Sequence, residues 1–266
     1  MDGPIVTLEN VSFGYGASPA LEGVNIHIER GQVFGIVGPN GGGKTTLLKL
    51  VADLIKPSSG KITFNLKSGD KNPRIGYMPQ YASVNWSFPV KVSDVILMGL
   101  YGELGMFHRP GRRERELAHE SAQRIGIDEL INRHISELSG GQQQRVFIAR
   151  ALAAKPEILL LDEPAANMDA AAQDMLYNQL EKLRDELGLT VLLVTHDMGV
   201  VPKICNQVAC VNRIVEVHDK PENLTCPITK DYLGTQKEIL LHGDFPHRMV
   251  RRDEGGPERT GHRHEH

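Results

Sequence analysis

The segment Gly38-Pro39-Asn40-Gly41-Gly42-Gly43-Lys44-Thr45 constrains this chain more than any other. It fits G-x-x-x-x-G-K-[ST] and stands where that pattern has physical meaning. The run before it, Val33-Phe34-Gly35-Ile36-Val37, is nearly all apolar, which predicts a strand covered on both faces. A helix is predicted after it, from about Lys44 to Ile55, with Pro57-Ser58-Ser59-Gly60 as its stop. Glycines let backbone N–H groups point inward with no Cβ in the way. The helix N-terminus adds partial positive charge. A loop of this kind suits a chain of phosphates, with Lys44 reaching the β- and γ-phosphates, the Thr45 hydroxyl on Mg²⁺, and Thr46 beside it. The bland alternative is a glycine-rich turn with a chance lysine, and the strand and helix on either side weigh against it.

The remaining pattern wraps an α/β core around this loop. Val6 and Leu8, then Val11, Phe13 and Tyr15, then Val24, Ile26 and Ile28 alternate as antiparallel strands with one buried face. Ile62-Thr63-Phe64 and Ile75-Gly76-Tyr77 are further predicted strands. From about Trp86 to Lys155 the pattern turns helical, and Arg112 to Glu116 reads as a solvated helix face. Buried-type strands return at Ile158 to Leu161 and at Thr190 to Thr195, and a hairpin is predicted around Asn212-Arg213. From about His242 the apolar residues thin out, and the stretch to His266 is expected to be disordered or loosely docked.

Composition excludes several classes. Lys+Arg 30 against Asp+Glu 33 leaves a net charge of −3, so there is no basic field for nonspecific nucleic-acid binding. The longest apolar runs, such as Val191-Leu192-Leu193-Val194, fall far short of the ~18 residues of a spanning helix. Met1-Asp2-Gly3-Pro4 has no basic start and no apolar stretch behind it, so no signal peptide is expected. Cys205, Cys210 and Cys226 read as reduced thiols.

The phosphate loop alone leaves kinase, GTPase and ATPase open. Ile158-Leu159-Leu160-Leu161-Asp162-Glu163 narrows the choice, because a buried strand delivers two carboxylates at its C-terminal end, where ligands of parallel sheets sit. Asp162 would hold Mg²⁺ and Glu163 would polarise the attacking water. Adjacent strand side chains face opposite ways, so the two can serve different atoms. Leu138-Ser139-Gly140-Gly141-Gln142 opens another predicted helix, from Gln143 to Ala154, and offers a second anion site. Two phosphate sites in one chain suggest two chains sharing nucleotides.

With these motifs in this order, the sequence resembles the ATP-binding cassette (ABC) family over about residues 5 to 220. The resemblance implies an α/β fold: a P-loop (RecA-like) ATPase core with an N-terminal antiparallel β subdomain and an inserted helical subdomain. It divides the chain into one ATPase domain, residues 1–241, with core and β subdomain at 1–85 and 156–220 and the helical part at 86–155, followed by a histidine-containing tail at 242–266. It implies that Ser139, Gly140, Gly141 and Gln142 cap the γ-phosphate of ATP held by a second copy of the chain. Tyr15 matches the aromatic that stacks on adenine, although a core-packing tyrosine is the plain alternative. Gln80 matches a glutamine linking metal and water to the transport partner, Asp169 an aspartate that communicates across the dimer, and His196 a histidine on the γ-phosphate. One departure stands out: the family's serine-alanine-leucine before that aspartate is here Ala166-Asn167-Met168, and the serine hydroxyl is gone.

Further implications concern transport. One cassette without membrane spans implies a separate integral-membrane permease and a peripheral place on the cytoplasmic face of the inner membrane. Val84-Asn85-Trp86-Ser87-Phe88-Pro89, with Met106-Phe107-His108-Arg109-Pro110, resembles the zinc, manganese and iron importers of the family, served indirectly by an external metal-binding protein. Trp86 and Phe88 lie where the family receives the permease, with core packing as the alternative. His262, His264 and His266 alternate, so two of them can share a metal, and zinc importers of the family carry histidine-rich tails. Zinc is therefore the expected cargo, with manganese or iron as the alternative. Two further rivals are a soluble regulatory ATPase without a permease and a metal-sensing module that works through the tail.

Overall fold

A computed structural model of the chain describes residues 3–66, 73–80, 89–104, 109–219, 237–242 and 245–251, the last two segments as backbone only. Trp86, Phe88, Cys226, the 106–108 segment and His262, His264 and His266 lie outside the described residues.

The first strands form the antiparallel layer that their alternation predicts. β1 (Val6–Tyr15) pairs with β2 (Ser18–Ile28), and Val6, Leu8 and Val11 meet Ile28, Ile26 and Val24 on one buried face. Next come β3 (Val33–Val37), α1 (Lys44–Val51), β4 (Ser59–Phe64) and β5 (Ile75–Met78). β4 joins the other edge of β1, giving the order β2-β1-β4. Here the structure departs from the sequence reading. α1 ends at Val51, four residues short of Ile55, because Asp53 takes a left-handed φ of 57° that no helix continues through. Ser59 and Gly60 are strand residues of β4 and not the helix stop.

The helical region follows as α2 (Val92–Leu97), α3 (Tyr101–Leu104), α4 (Arg112–Ile125) and α5 (Gly140–Leu152). Ala118, Ala122 and Ile125 of α4 pack with Val92, Val95 and Ile96 of α2 and with Val146 and Ile148 of α5 in one buried cluster. The opposite face of α4 carries the exposed Arg112–Glu116 ion pair at 2.8 Å, as its charge pattern predicts. The chain then returns to the core through β6 (Ile158–Asp162), α6 (Ala170–Leu187), β7 (Thr190–Val194), α7 (Val201–Ile204), β8 (Gln207–Asn212) and β9 (Ile214–His218).

A sheet of order β5-β6-β7-β3-β8-β9 forms the centre. It is parallel from β5 through β8, and β9 closes it antiparallel after a hairpin in which Arg213 has φ 62°. β3, β6 and β7 are buried at every position, which is why they read as unbroken apolar runs. Alternation sends Phe34, Ile36, Leu160 and Leu192 to the face covered by α1 and the β1 layer. Val33, Val37, Leu161 and Leu193 face the other cluster, with α6 and the helical region.

The tail, expected to be disordered or loosely docked, begins within a pair of backbone strands. Backbone strands β10 (Lys237–His242) and β11 (Phe245–Arg251) pair antiparallel, with His242 opposite Phe245. A boundary at residue 242 therefore cuts a hairpin. The Gly-Asp dipeptide between the strands is a hairpin signal in the sequence, and backbone pairing needs no apolar periodicity. Among the described residues no helix is long and apolar enough to cross a membrane.

Candidate active site

The glycine-rich loop leaves β3 and enters α1 through backbone that only glycine tolerates well. Gly38 has φ 149°, and a Cβ there would stand 2.0 Å from the Val211 carbonyl oxygen. Gly43, the residue before α1, has φ 108°, and its Cβ would meet the Ala20 carbonyl at 2.7 Å. The loop is thus pressed between β8 and the start of β2. No side chain caps α1, and no acid occupies its first turn, so its N–H groups are left to an anion.

Lys44 is buried and folds back over the loop, its Nζ donating to the Gly38 and Pro39 carbonyls at 2.9 Å each. Burial pulls its pKa below the ordinary lysine value, against the opposing pull of the Glu163 and Asp162 carboxylates. A cation held by two neutral carbonyls in this way is ready to exchange them for phosphate oxygens. Thr45 Oγ1 donates to Asp162 Oδ2 at 2.8 Å. Asp162 ends β6 at 1% exposure, and that burial raises its pKa above the usual carboxylate range, more than the Thr45 hydrogen bond lowers it.

Glu163 does not continue the strand, as the sequence reading had it. It sits one residue beyond β6 with φ 53°, a left-handed conformation for a non-glycine residue. This turn, and not strand alternation, separates its carboxylate from that of Asp162. Glu163 Oε2 accepts from Gln80 Nε2 at 3.2 Å, and Glu163 Oε1 lies 3.9 Å from His196 Nδ1. Gln80 follows β5 and His196 follows β7, so three neighbouring strands of one sheet deliver these groups to one place.

These groups share a cleft of about 720 Å³ lined by Tyr15, Asn40, Gly41, Gly43, Lys44, Thr45, Thr46, Gln80, Glu163 and His196. Tyr15 is 54% exposed at the rim, its ring edge-to-face with Phe13 at 5.0 Å, so it is not a core tyrosine. Ser18, Pro19 and Ala20 also line the cleft and were missed in the sequence. Their only signal was their place just past the turn that follows Tyr15.

Residues 139–142 are not on this cleft. Ser139 caps α5 in a reciprocal box: its Oγ accepts from Gln142 N at 3.4 Å, and its own N–H donates to Gln142 Oε1 at 3.0 Å. Gly140 and Gly141 form the first turn, and Gly141 abuts Met168. Asp169 caps α6, Oδ1 accepting from Ala172 N at 2.8 Å.

The fold and the cleft together define a phosphate-loop ATPase. The family profile for ABC transporters matches residues 21–166, and the chain belongs to that family. It is 43% identical to the manganese transport system ATP-binding protein MntB of Bacillus subtilis, over 73% of this chain and 77% of that one. It is 40% identical to the zinc transport system ATP-binding protein TroB of Treponema pallidum, over 78% of each. Among solved structures it resembles the dimeric ATP-binding cassette MJ0796 bound to ADP and Pi, with a TM-score of 0.67, 30% identity, and coverage of 80% of this chain and 98% of that one. ATP and Mg²⁺ are accordingly its substrate and cofactor, and its P-loop α/β fold agrees with the expected class.

Proposed function

We propose that this chain is the ATP-hydrolysing subunit of an importer for a divalent metal ion, working as a pair beneath a separate membrane permease on the cytoplasmic face. The observation that carries the ATPase half is the convergence of Lys44, Thr45 and Gln80–Glu163–His196 on one cleft, with Asp162 bonded to Thr45 behind it. The metal half rests on relatives named for manganese and zinc transport. The alternating tail histidines favour zinc, and the higher identity of MntB favours manganese.

The donor set suits MgATP. The uncapped start of α1 and Lys44 match a chain of phosphates, and the Thr45 hydroxyl and Asp162 carboxylate match a hard cation that prefers oxygen. Bound there, Mg²⁺ would neutralise charge on the β- and γ-oxygens. Tyr15 at the rim offers a face to the base. Glu163 orients the water that attacks the γ-phosphorus, accepting its hydrogen bond as ADP leaves, while Gln80 holds Glu163 and His196 faces the γ-phosphate. Ser139, Gly140, Gly141 and Gln142 of one copy close over the cleft of the other, where Asp169 also meets its partner. The permease groove is proposed near Trp86 and Phe88.

Glu163→Gln tests both halves. With ATP the variant is expected to elute as a dimer, with turnover at least ~100-fold down and binding retained. A monomer that turns over ATP at the wild-type rate would defeat the assignment. Metal-limited cells carrying this variant, assayed element by element, should lose accumulation of one metal. Loss of zinc or of manganese names the cargo, and no loss at all leaves only the ATPase.

A further inference from the structure

Glu163 and His196 stand on different loops, and one helix holds both loops. Gln173 and Tyr177 lie one turn apart on α6, on the side facing the loops that carry Glu163 and His196. Gln173 Nε2 donates to the Ala165 carbonyl at 3.1 Å and to the Met168 carbonyl at 3.3 Å. Both belong to the loop that leaves Glu163, which also folds on itself through Ala166 N to Glu163 O at 3.3 Å. In this loop the family's serine is Ala166, so no hydroxyl is available there, and the Gln173 amide supplies donors from outside.

Tyr177 does the corresponding work for the second loop. It is 4% exposed, and its hydroxyl lies near the Thr195 side chain, the two residues lining one small cavity. Thr195 immediately precedes His196, and its Oγ1 also accepts from Asp197 N at 3.0 Å, so the backbone on both sides of His196 is tied down. Between the loops lies a cavity of only about 20 Å³, lined by Glu163, Gln173, Tyr177, Thr195, His196 and Asp197.

We propose that Gln173 and Tyr177 are positioning residues that, from α6, set the separation and direction of Glu163 and His196. This rests on the reading that those two groups serve hydrolysis. The physical reason is strain: a left-handed Glu163 is unfavourable on its own and persists only where its surroundings over-determine it. Hydrogen bonds to the carbonyls two and five residues onward provide that constraint. Neither side chain needs to touch ATP.

Full-length Gln173→Met and Tyr177→Phe test the proposal, since both keep volume and remove only hydrogen-bonding capacity. Steady-state hydrolysis, binding of a fluorescent ATP analogue and thermal melting are measured on each. A misplaced catalytic group lowers kcat without touching binding, so kcat should fall ~5–20-fold while KM and analogue affinity stay within about twofold. Turnover within about twofold of wild type in both variants overturns the proposal. So does a parallel loss of kcat, analogue affinity and melting temperature, which would mark a merely structural role. A wild-type chain that hydrolyses no ATP would instead overturn the hydrolysis reading on which this one rests.

Discussion

The two helices that open on glycine-rich segments begin in opposite ways. α1 has no side-chain cap, no acid in its first turn, and a buried lysine folded over the loop. α5 is closed by its own Ser139–Gln142 box. An uncapped helix start leaves several N–H donors unsatisfied, and these are satisfied when an anion arrives. A capped start is stable alone and gives up its cap only when a competing anion is presented to it. In the function proposed above, the first takes up phosphate within one chain and the second meets a phosphate that another chain brings.

Substitutions can break this contrast, beginning with the largest effect. Lys44→Ala removes the only side-chain cation of the loop, and MgATP binding by the isolated chain should weaken ~10–100-fold, as read by titration calorimetry. Unchanged affinity would remove α1 from its proposed role. Ser139→Ala should leave binding by the isolated chain untouched yet slow turnover roughly tenfold, since one anion donor is lost only in the closed pair. Equal losses in binding and turnover would erase the distinction between the two helices.

Two smaller effects sharpen it. Asp169 caps α6 as Ser139 caps α5, so Asp169→Ala should cost about 1 kcal/mol and lower the melting temperature by ~2–4 °C. Asp162→Asn should do the reverse in the absence of nucleotide and Mg²⁺. Burial raises the Asp162 pKa above its ordinary 3.8. The stability this group contributes is present below 3.8 and lost as pH rises through its higher folded value. At neutral pH the asparagine variant should therefore melt ~1–2 °C higher than wild type, with the gain vanishing toward pH 3.8 and Mg²⁺-dependent hydrolysis lost. A melting temperature that falls at neutral pH would mean that the carboxylate stabilises the empty site.

Most of the core was legible because its signals are local. β3, β6 and β7 are buried on both faces and read as apolar runs. Ser139 is a capping residue with Gln142 three places on, a pattern visible in one dimension. The misses also have local causes. α1 stopped at a left-handed Asp53 that no periodicity announces. The ribbon of β10 and β11 rests on backbone pairing, which hydrophobic spacing does not report. Gln173 and Tyr177 carried no motif, because their partners are carbonyls and a hydroxyl on other segments.

By itself the sequence determined which residues can bear this chemistry: a glycine loop where Cβ atoms are barred, a lysine and threonine at a helix start, and carboxylates after a buried strand. These follow from steric and hydrogen-bonding limits within a few neighbouring residues. Only the tertiary structure decided how they meet. Gln80, Glu163 and His196 come together because β5, β6 and β7 are adjacent strands of one parallel sheet, an order set by long-range pairing. The direction of Glu163 depends on a left-handed turn that α6 holds in place from outside the motif. Such constraints act across more than a hundred residues of chain for β3 and β7, and no local pattern encodes them.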